Sequence, residues 1–103
     1  MDLGLRGKKA IVTGATRGIG RAIAEVFADE GCDVGICARD KASVEAAVAA
    51  LASRGVRAIG QALDVQDGPA LKLWVAGMAR ELGGLDIVVS NVSAMGGLAG
   101  DEG

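Results

Sequence analysis

The apolar positions of the chain follow two alternating patterns. Four short runs are apolar almost without interruption and are bounded by glycine or charged residues, which is typical of buried strands. Between them lie three segments whose apolar residues recur every three or four positions, the spacing of one helix face. The pattern predicts strands at residues 8–13, 33–38, 56–63 and 85–90, with one helix in each of the three intervals.

Local signals mark where the predicted helices begin and end. Asp40 and Asp67 stand at N-cap positions, and Pro69 fits the first turn of the third helix. Glycines at positions 31, 55 and 83–84 follow the last periodic residues and are predicted to end the helices. The stripes expected to pack in the core are Ile19, Ala22, Ile23, Val26 and Phe27, then Val44, Ala47, Val48 and Leu51, then Leu71, Trp74, Val75, Met78, Ala79 and Leu82.

The order of these elements, β-α-β-α-β-α-β, predicts an α/β fold. Strands that are apolar on both faces and alternate with amphipathic helices indicate a parallel sheet covered on both sides. Right-handed crossovers make this a doubly wound sheet. Residues 91–103 are rich in glycine and small residues and predict no packed element, so the fourth strand would keep an open edge. We therefore expect residues 1–103 to be the front part of a larger single domain, cut after its fourth strand.

Composition limits the classes of partner. Half of the 103 residues are apolar and 23% are charged, as in globular proteins. Eleven basic against thirteen acidic residues give a net charge of -2, which offers no basic field for nucleic acid or an anionic membrane. The sequence has no apolar run of about 20 residues and no N-terminal leader pattern. We expect a cytoplasmic protein with neither nucleic acid nor membrane as partner.

The two cysteines are predicted to be free thiols. Five strand steps between Cys32 and Cys37 would separate them by about 16 Å and place them on opposite faces. A disulfide needs Cα atoms within about 7 Å, so these two cannot pair. Buried thiols of this kind are typical of a reducing compartment.

A glycine-rich segment joins the first strand to the first helix. Gly14, Gly18 and Gly20 have the spacing that allows a tight turn, a close backbone approach to a phosphate, and close helix–strand packing. The N-terminus of the helix would then attract the anion. The segment lacks the Lys-Ser/Thr pair of a P-loop, and Thr13 stands where a phosphoacceptor protein needs aspartate. A dinucleotide phosphate loop is predicted; a turn without ligand is the alternative.

Three motifs lie at the ends of predicted strands: Thr13-Gly14 with Gly18-Ile19-Gly20, Leu63-Asp64-Val65, and Ser90-Asn91-Val92-Ser93. In them the chain resembles the short-chain dehydrogenase/reductase family over almost its whole length. Within the family it most resembles bacterial members described as 3-oxoacyl-acyl-carrier-protein reductase-like. The resemblance implies a Rossmann-like sheet and NAD(P)-dependent hydride transfer between an alcohol and a carbonyl. It makes residues 1–103 the N-terminal part of a single NAD(P)-binding domain.

The resemblance also implies a set of cofactor contacts. The Asp64 carboxylate would accept a hydrogen bond from the exocyclic amine of adenine, and Asn91 would lie beside the adenosine ribose. Ser90, Val92 and Ser93 depart from the family motif, and Ser93 replaces a glycine near the nicotinamide ribose. The implied contacts are Gly14, Thr16, Arg17, Gly18, Ile19 and Gly20 at the pyrophosphate and adenosine side, Leu63, Asp64 and Val65 at the adenine, and Asn91, Val92 and Ser93 after the fourth strand.

Charge at the end of the second strand predicts which dinucleotide is preferred. An NAD site places an acid there to bind the ribose 2′-hydroxyl, whereas this chain has Ala38 followed by Arg39. A guanidinium would hold a 2′-phosphate, and Arg17 could close from the other side. The charge of Asp40 weakens this argument, but as a helix cap Asp40 is expected to point into its own backbone. NADP(H) is therefore the predicted cofactor, and NAD(H) is the alternative. A further possibility is that Arg17 and Arg39 are solvated surface residues that bind no ligand.

The family's catalytic residues have no counterpart here. Family members use a tyrosine, a lysine four residues later, a serine and an asparagine, all beyond the fourth strand. The chain has no tyrosine and no histidine, and its last lysine is Lys72. No catalytic or metal-binding residue is assigned, and we do not expect turnover from these 103 residues alone.

Three hypotheses remain open from the sequence. The first is the cofactor-binding part of an NADP-preferring short-chain oxidoreductase, whose complete form would bind a small carbonyl or alcohol and form a homo-oligomer. The second is a naturally short dinucleotide-binding sensor or regulator. The third is a remnant without activity.

Overall fold

The computed structural model describes residues 4–90. Its seven elements follow the predicted order, and the third and fourth strands are shorter than predicted at both ends. Within residues 4–90 no helix is long and apolar enough to cross a membrane. The elements are β1 Lys9–Thr13, α1 Gly18–Asp29, β2 Asp33–Ala38, α2 Lys41–Ala52, β3 Ala58–Ala62, α3 Gly68–Leu82 and β4 Ile87–Val89.

The strands form one parallel sheet in the order β3-β2-β1-β4. Thr13 lies beside Cys37, and Ala38 lies beside Ala62, so β1, β2 and β3 end level with one another. The chain runs outward from β1 to β3 on one side and then crosses to β4 on the other. In such sheets ligands bind at the carboxyl ends of the strands, at the point where the order reverses. That point lies at the end of β1.

Helices cover both faces, which confirms the doubly wound Rossmann-like class. The residues of α1 and α2 pack with Val12 and Ile36, whereas α3 packs on Ile11 and Cys37. The two cysteines are free, buried and on opposite faces, as predicted. Burial raises the pKa of Cys37 to about 11, so its thiol stays protonated and unreactive at neutral pH.

The stripes predicted for α2 and α3 are confirmed. Val44, Ala47 and Leu51 are buried in α2, and Trp74, Met78 and Leu82 are buried in α3. Trp74 packs in the core cluster under α3, and its indole Nε1 has no hydrogen-bond partner among the residues that the structure describes. Trp74 is therefore a packing residue.

The stripe predicted for α1 is wrong in part. Ile19 and Val26 are 72% and 51% exposed, and the residues buried against the sheet are Gly20, Ala24 and Ala28. These three recur every four positions, so they also form one helix face. Their small side chains bring α1 close to the sheet. The larger residues are displaced to the flank, where only Ile23 and Phe27 are partly buried against the core.

Candidate functional site

The loop after β1 is held in an unusual backbone conformation by two glycines. Gly14 has φ +61° and Gly18 has φ +64°, the left-handed region that glycine adopts without strain. The Gly14 N–H donates to the Cys37 carbonyl at 2.9 Å, which ties this loop to the end of β2. A Cβ at Gly18 would meet no atom within 4 Å. The glycine therefore borders open space at the start of α1.

The N-terminus of α1 differs from those of the other two helices. Asp40 Oδ2 accepts from the Ser43 N–H at 3.0 Å, and Asp67 Oδ1 accepts from the Ala70 N–H at 3.1 Å. Both predicted caps are thus confirmed. The N-cap residue of α1 is Arg17, whose side chain makes no cap hydrogen bond, and the first turn has no acidic residue. The partial positive charge of this helix end is therefore not neutralised by a side chain of its own first turn.

Two arginines lie on neighbouring loops at this edge. Ala38 is the buried last residue of β2, and Arg39 and Arg17 are exposed. Hydrogen bonds from the Ser43 side chain and backbone N–H lower the pKa of Asp40, and the positive charge of Arg17 lowers it further. The positive charge of Arg17 therefore stabilises the ionised form of Asp40 in the loop after β2. This edge carries cationic groups and no acid at the last position of β2.

The loop after β3 is built around Asp64. Its Oδ1 accepts from the Gln66 N–H at 2.9 Å, and its carbonyl accepts from the Asp67 N–H at 2.9 Å. The Leu63 N–H donates to the Ala38 carbonyl at 2.9 Å, which joins this loop to β2. Leu63 and Val65 pack against the core under α3, whereas the Asp64 carboxylate is exposed. One carboxylate oxygen of Asp64 thus stabilises the turn by accepting the Gln66 hydrogen bond.

The structure brings most of the predicted contacts to one edge of the sheet. Thr16 is buried, its carbonyl accepts from Arg21 Nη1 at 3.4 Å, and Ile19 faces outward. Asn91, Val92 and Ser93 lie outside the described residues. The residues that share the edge are Gly14, Thr16, Arg17, Gly18, Ile19 and Gly20 after β1, Ala38 and Arg39 at β2, and Leu63, Asp64 and Val65 after β3.

Sequence reasoning missed two features of this edge. The first is the hydrogen bond from Gly14 to Cys37, which fixes the loop after β1 against β2. The second is the electrostatic effect of Arg17 on the Asp40 carboxyl, because Asp40 was weighed only against the neighbouring Arg39 and its own helix cap. The sequence carries a signal for the second feature, since Arg17 and Asp40 both follow predicted strands of one parallel sheet, whose carboxyl ends share an edge.

Comparisons with known proteins agree with this architecture. The sequence model of the short chain dehydrogenase family matches residues 8–101. A Streptomyces virginiae protein named for ketoacyl reduction in the monensin polyketide synthase is 42% identical over 88 residues, which are 85% of this chain and 34% of that protein. The structure of L-sorbose reductase from Gluconobacter frateurii, complexed with NADPH and L-sorbose, has a TM-score of 0.84. It is 38% identical and covers 91% of this chain and 36% of its own.

A second solved structure shows the same likeness with the other dinucleotide. The NAD+-bound xylitol dehydrogenase has a TM-score of 0.78 and 31% identity, and covers 82% of this chain and 32% of its own. The chain spans about a third of the length of the curated relatives it matches. The family match extends over more than nine-tenths of the chain and includes every strand end described above. The chain belongs to the short-chain dehydrogenase family.

Proposed function

We propose that this chain is the cofactor-binding part of an NADP-preferring oxidoreductase that transfers hydride between an alcohol and a carbonyl. The observation that carries the proposal is the N-terminus of α1, which lies where the strand order reverses and has no side-chain cap. A dinucleotide pyrophosphate is the anion that suits such a helix end. When bound, the nicotinamide supplies the hydride; the residues described below bind and orient the other half of the molecule.

The residues present fit the pyrophosphate. The open space at Gly18 lets an anion approach the backbone N–H groups of the first turn, which a Cβ would obstruct. Gly14 shapes the turn that directs α1 toward the edge, and its hydrogen bond to Cys37 keeps the loop in place. The L-sorbose reductase complexed with NADPH supports this assignment, because 91% of this chain matches it at a TM-score of 0.84.

The two arginines support NADP(H) over NAD(H). Arg39 is exposed and makes no hydrogen bond or ion pair within residues 4–90. A guanidinium in this position can donate two parallel hydrogen bonds to the 2′-phosphate. Ala38 leaves the end of β2 without the carboxylate that would bind a 2′-hydroxyl and repel a phosphate. The NAD+-bound xylitol dehydrogenase has the same fold, so the preference rests on these side chains.

We also propose that residues 1–103 are the N-terminal part of one larger dinucleotide-binding domain. Val88 of β4 and Leu73 of α3 are 58% and 75% exposed. A groove of about 370 Å³ on α1 is lined by Ile19, Ala22, Ile23, Val26 and Phe27. Elements of a longer chain that pack on α1, α3 and β4 would cover these apolar side chains. A cytoplasmic location is proposed on the two buried thiols, and a homo-oligomeric parent enzyme on the family resemblance alone.

Substitution of Gly18 tests the proposed phosphate loop. Gly18→Val places a branched side chain in the open space at the start of α1 and should abolish NADPH binding, measured by titration calorimetry. The variant also strains a left-handed residue, by about 1–2 kcal/mol. Gly55→Val is the matched control, because Gly55 has φ +88° and equally open surroundings but lies at the other end of α2.

The two variants separate binding from stability. Both should lose similar free energy of unfolding in urea, and only Gly18→Val should lose NADPH. If folded Gly18→Val bound NADPH with near wild-type affinity, residues 14–20 would be a turn that binds no ligand. The proposed function would then lose its basis.

A further inference from the structure

Arg21 of α1 contacts two consecutive carbonyls of the loop after β1. Its backbone N–H donates to the Arg17 carbonyl at 3.3 Å, and its Nη1 donates to the Thr16 carbonyl at 3.4 Å. A peptide unit is planar and trans, so a held carbonyl also fixes the direction of the N–H on the residue that follows it. Arg21 therefore fixes the N–H directions of Arg17 and Gly18, at the start of α1. The backbone bond would form with any residue at position 21, whereas the Thr16 bond requires a long side chain with a donor.

A glutamate sets the orientation of the Arg21 guanidinium. Arg21 Nε donates to Glu25 Oε2 at 2.7 Å, one helical turn further along α1. The nitrogen that reaches Thr16 belongs to the same planar group, so the Glu25 bond limits how that group can turn. Glu25 also has a contact with the segment after α2, since Arg54 Nη2 lies 3.8 Å from its Oε1. The Arg21 guanidinium thus has one acceptor on α1 and one in the loop.

We propose that Arg21 is a positioning residue, which keeps the loop after β1 in the conformation that receives a dinucleotide pyrophosphate. The inference rests on the proposed function, in which the N-terminus of α1 binds this anion. Thr16 is buried, whereas Arg17 and Gly18 are exposed, so the chain turns outward at the peptide that Arg21 holds. Without the side-chain bond, that peptide could rotate. Only a fraction of the molecules would then present these N–H groups to the phosphate, and the affinity would fall by that fraction.

Replacement of Arg21 should weaken dinucleotide binding without unfolding the chain. Arg21→Met removes both side-chain bonds but keeps an unbranched apolar chain. We expect the NADPH affinity of the 103-residue chain, measured by titration calorimetry, to fall about tenfold, the value of one hydrogen bond from a charged donor.

Arg21→Lys separates positioning from two simpler roles. A lysine can keep the ion pair with Glu25 and the positive charge, but it has no second nitrogen for the Thr16 carbonyl. It should therefore bind NADPH as weakly as Arg21→Met. A role limited to the ion pair, or a direct charge contact with phosphate, would instead be rescued by lysine.

Arg54→Met is the matched control. The Arg54 side chain is 30% exposed, as is that of Arg21, and it also combines an acidic partner with a backbone carbonyl. Its Nε lies 2.8 Å from Asp29 Oδ1, and its Nη1 donates at 3.0 Å to the Ala50 carbonyl, in the last turn of α2. Urea unfolding should show a comparable loss of stability in Arg21→Met and Arg54→Met, and only the Arg21 variants should lose NADPH affinity.

The carbonyl carbon of Thr16 reports on the contact before any ligand is added. Its chemical shift depends on whether the oxygen accepts a hydrogen bond. In the labelled chain, Arg21→Met and Arg21→Lys should both move this shift in the same direction, and Arg54→Met should leave it unchanged. An unmoved Thr16 shift in Arg21→Met would overturn the inference.

The affinities distinguish failure of the inference from failure of the proposed function. Wild-type NADPH affinity in Arg21→Met, its recovery in Arg21→Lys, or an equal loss in Arg54→Met would overturn the positioning role. If Gly18→Val still abolished binding, the proposed function would stand. Failure of the wild-type chain to bind NADPH would overturn the proposed function and this inference together.

Discussion

At the scale of single residues, the proposed preference for NADP(H) depends on Arg39. Arg39 is exposed, follows the buried Ala38 and makes no hydrogen bond or ion pair within residues 4–90 that a ligand would have to break. A charge-assisted hydrogen bond to phosphate contributes about 1.5–3 kcal/mol. In the proposed site this interaction would form only with the 2′-phosphate of NADP(H), so it would distinguish NADP(H) from NAD(H).

Arg39→Ala should therefore lower the NADP(H)/NAD(H) affinity ratio by about tenfold or more. The measurement is fluorescence titration of wild type and variant with NADPH and NADH. Arg80→Ala is the control, because Arg80 is also exposed but lies in the last turn of α3. An unchanged NADP(H)/NAD(H) affinity ratio in Arg39→Ala would mean that Arg39 is a solvated surface residue without a role in cofactor binding.

The sequence predicts the kind of residue at this edge but not its mutual contacts. Gly14, Ala38 and Arg39 could be placed because each follows a recognisable strand, and parallel strands end at a common edge. The effect of Arg17 on Asp40 was missed although both residues follow strands at this edge, because a capping pattern describes one helix and says nothing about the neighbouring loop. Contacts between loops depend on the register of β1 against β2, which the sequence pattern does not specify.

At the scale of elements, close packing between helix and sheet depends on single glycines within strands. A Cβ at Gly35 of β2 would lie 2.6 Å from Met78 Sδ and 3.1 Å from Ile11 Cγ2. Gly60 of β3 has the same relation to α2, with Val44 Cγ1 at 2.7 Å. The small residues at positions 20, 24 and 28 serve this purpose in α1.

Gly35→Ala should destabilise the protein by about 1–3 kcal/mol, because α3 must shift away from β2 or Met78 must change its rotamer. Gly77→Ala is the control, since Gly77 lies in α3 with nothing within 4 Å of its Cβ position. It should stabilise the helix by up to about 1 kcal/mol. Urea unfolding followed by circular dichroism measures both. Equal stability of Gly35→Ala and wild type would contradict the expected cost of placing a Cβ between Met78 and Ile11.

The positions of the helices along the chain are predicted well from the sequence. The face that a helix packs against the sheet is predicted only where a single face has apolar residues at helical spacing. Asp40 and Asp67 mark helix starts by a local hydrogen bond, so they can be read without knowledge of the fold. In α1 two faces have helical spacing, one of large apolar residues and one of Gly20, Ala24 and Ala28. The face of Gly20, Ala24 and Ala28 packs on the sheet, because small side chains let the helix approach the strands closely. The spacing of apolar residues carries no information about how closely a helix must approach.

At the scale of the whole molecule, the edge proposed to bind the cofactor is separate from the exposed apolar side chains of α3 and β4, whereas Ile19 of α1 belongs both to that edge and to the apolar groove. The three loops after β1, β2 and β3 are joined by backbone hydrogen bonds through Cys37 and Ala38. The exposed apolar side chains Leu73 and Val88 belong to α3 and β4. The loops that would hold the adenosine half thus depend on contacts within residues 4–90, and the account predicts that they bind it without the rest of a longer enzyme.

The most direct test of this claim is a titration of the isotopically labelled 103-residue chain with NADPH, followed by amide chemical shifts. We predict saturable shifts concentrated in the loop of Gly14 and Gly18, in Arg39 and in Asp64. Amides at the opposite edge, such as those of Gly55 and Gly83, should stay unchanged. The absence of shifts at saturating NADPH, or shifts concentrated at the opposite edge, would contradict the assignment of this edge to the dinucleotide.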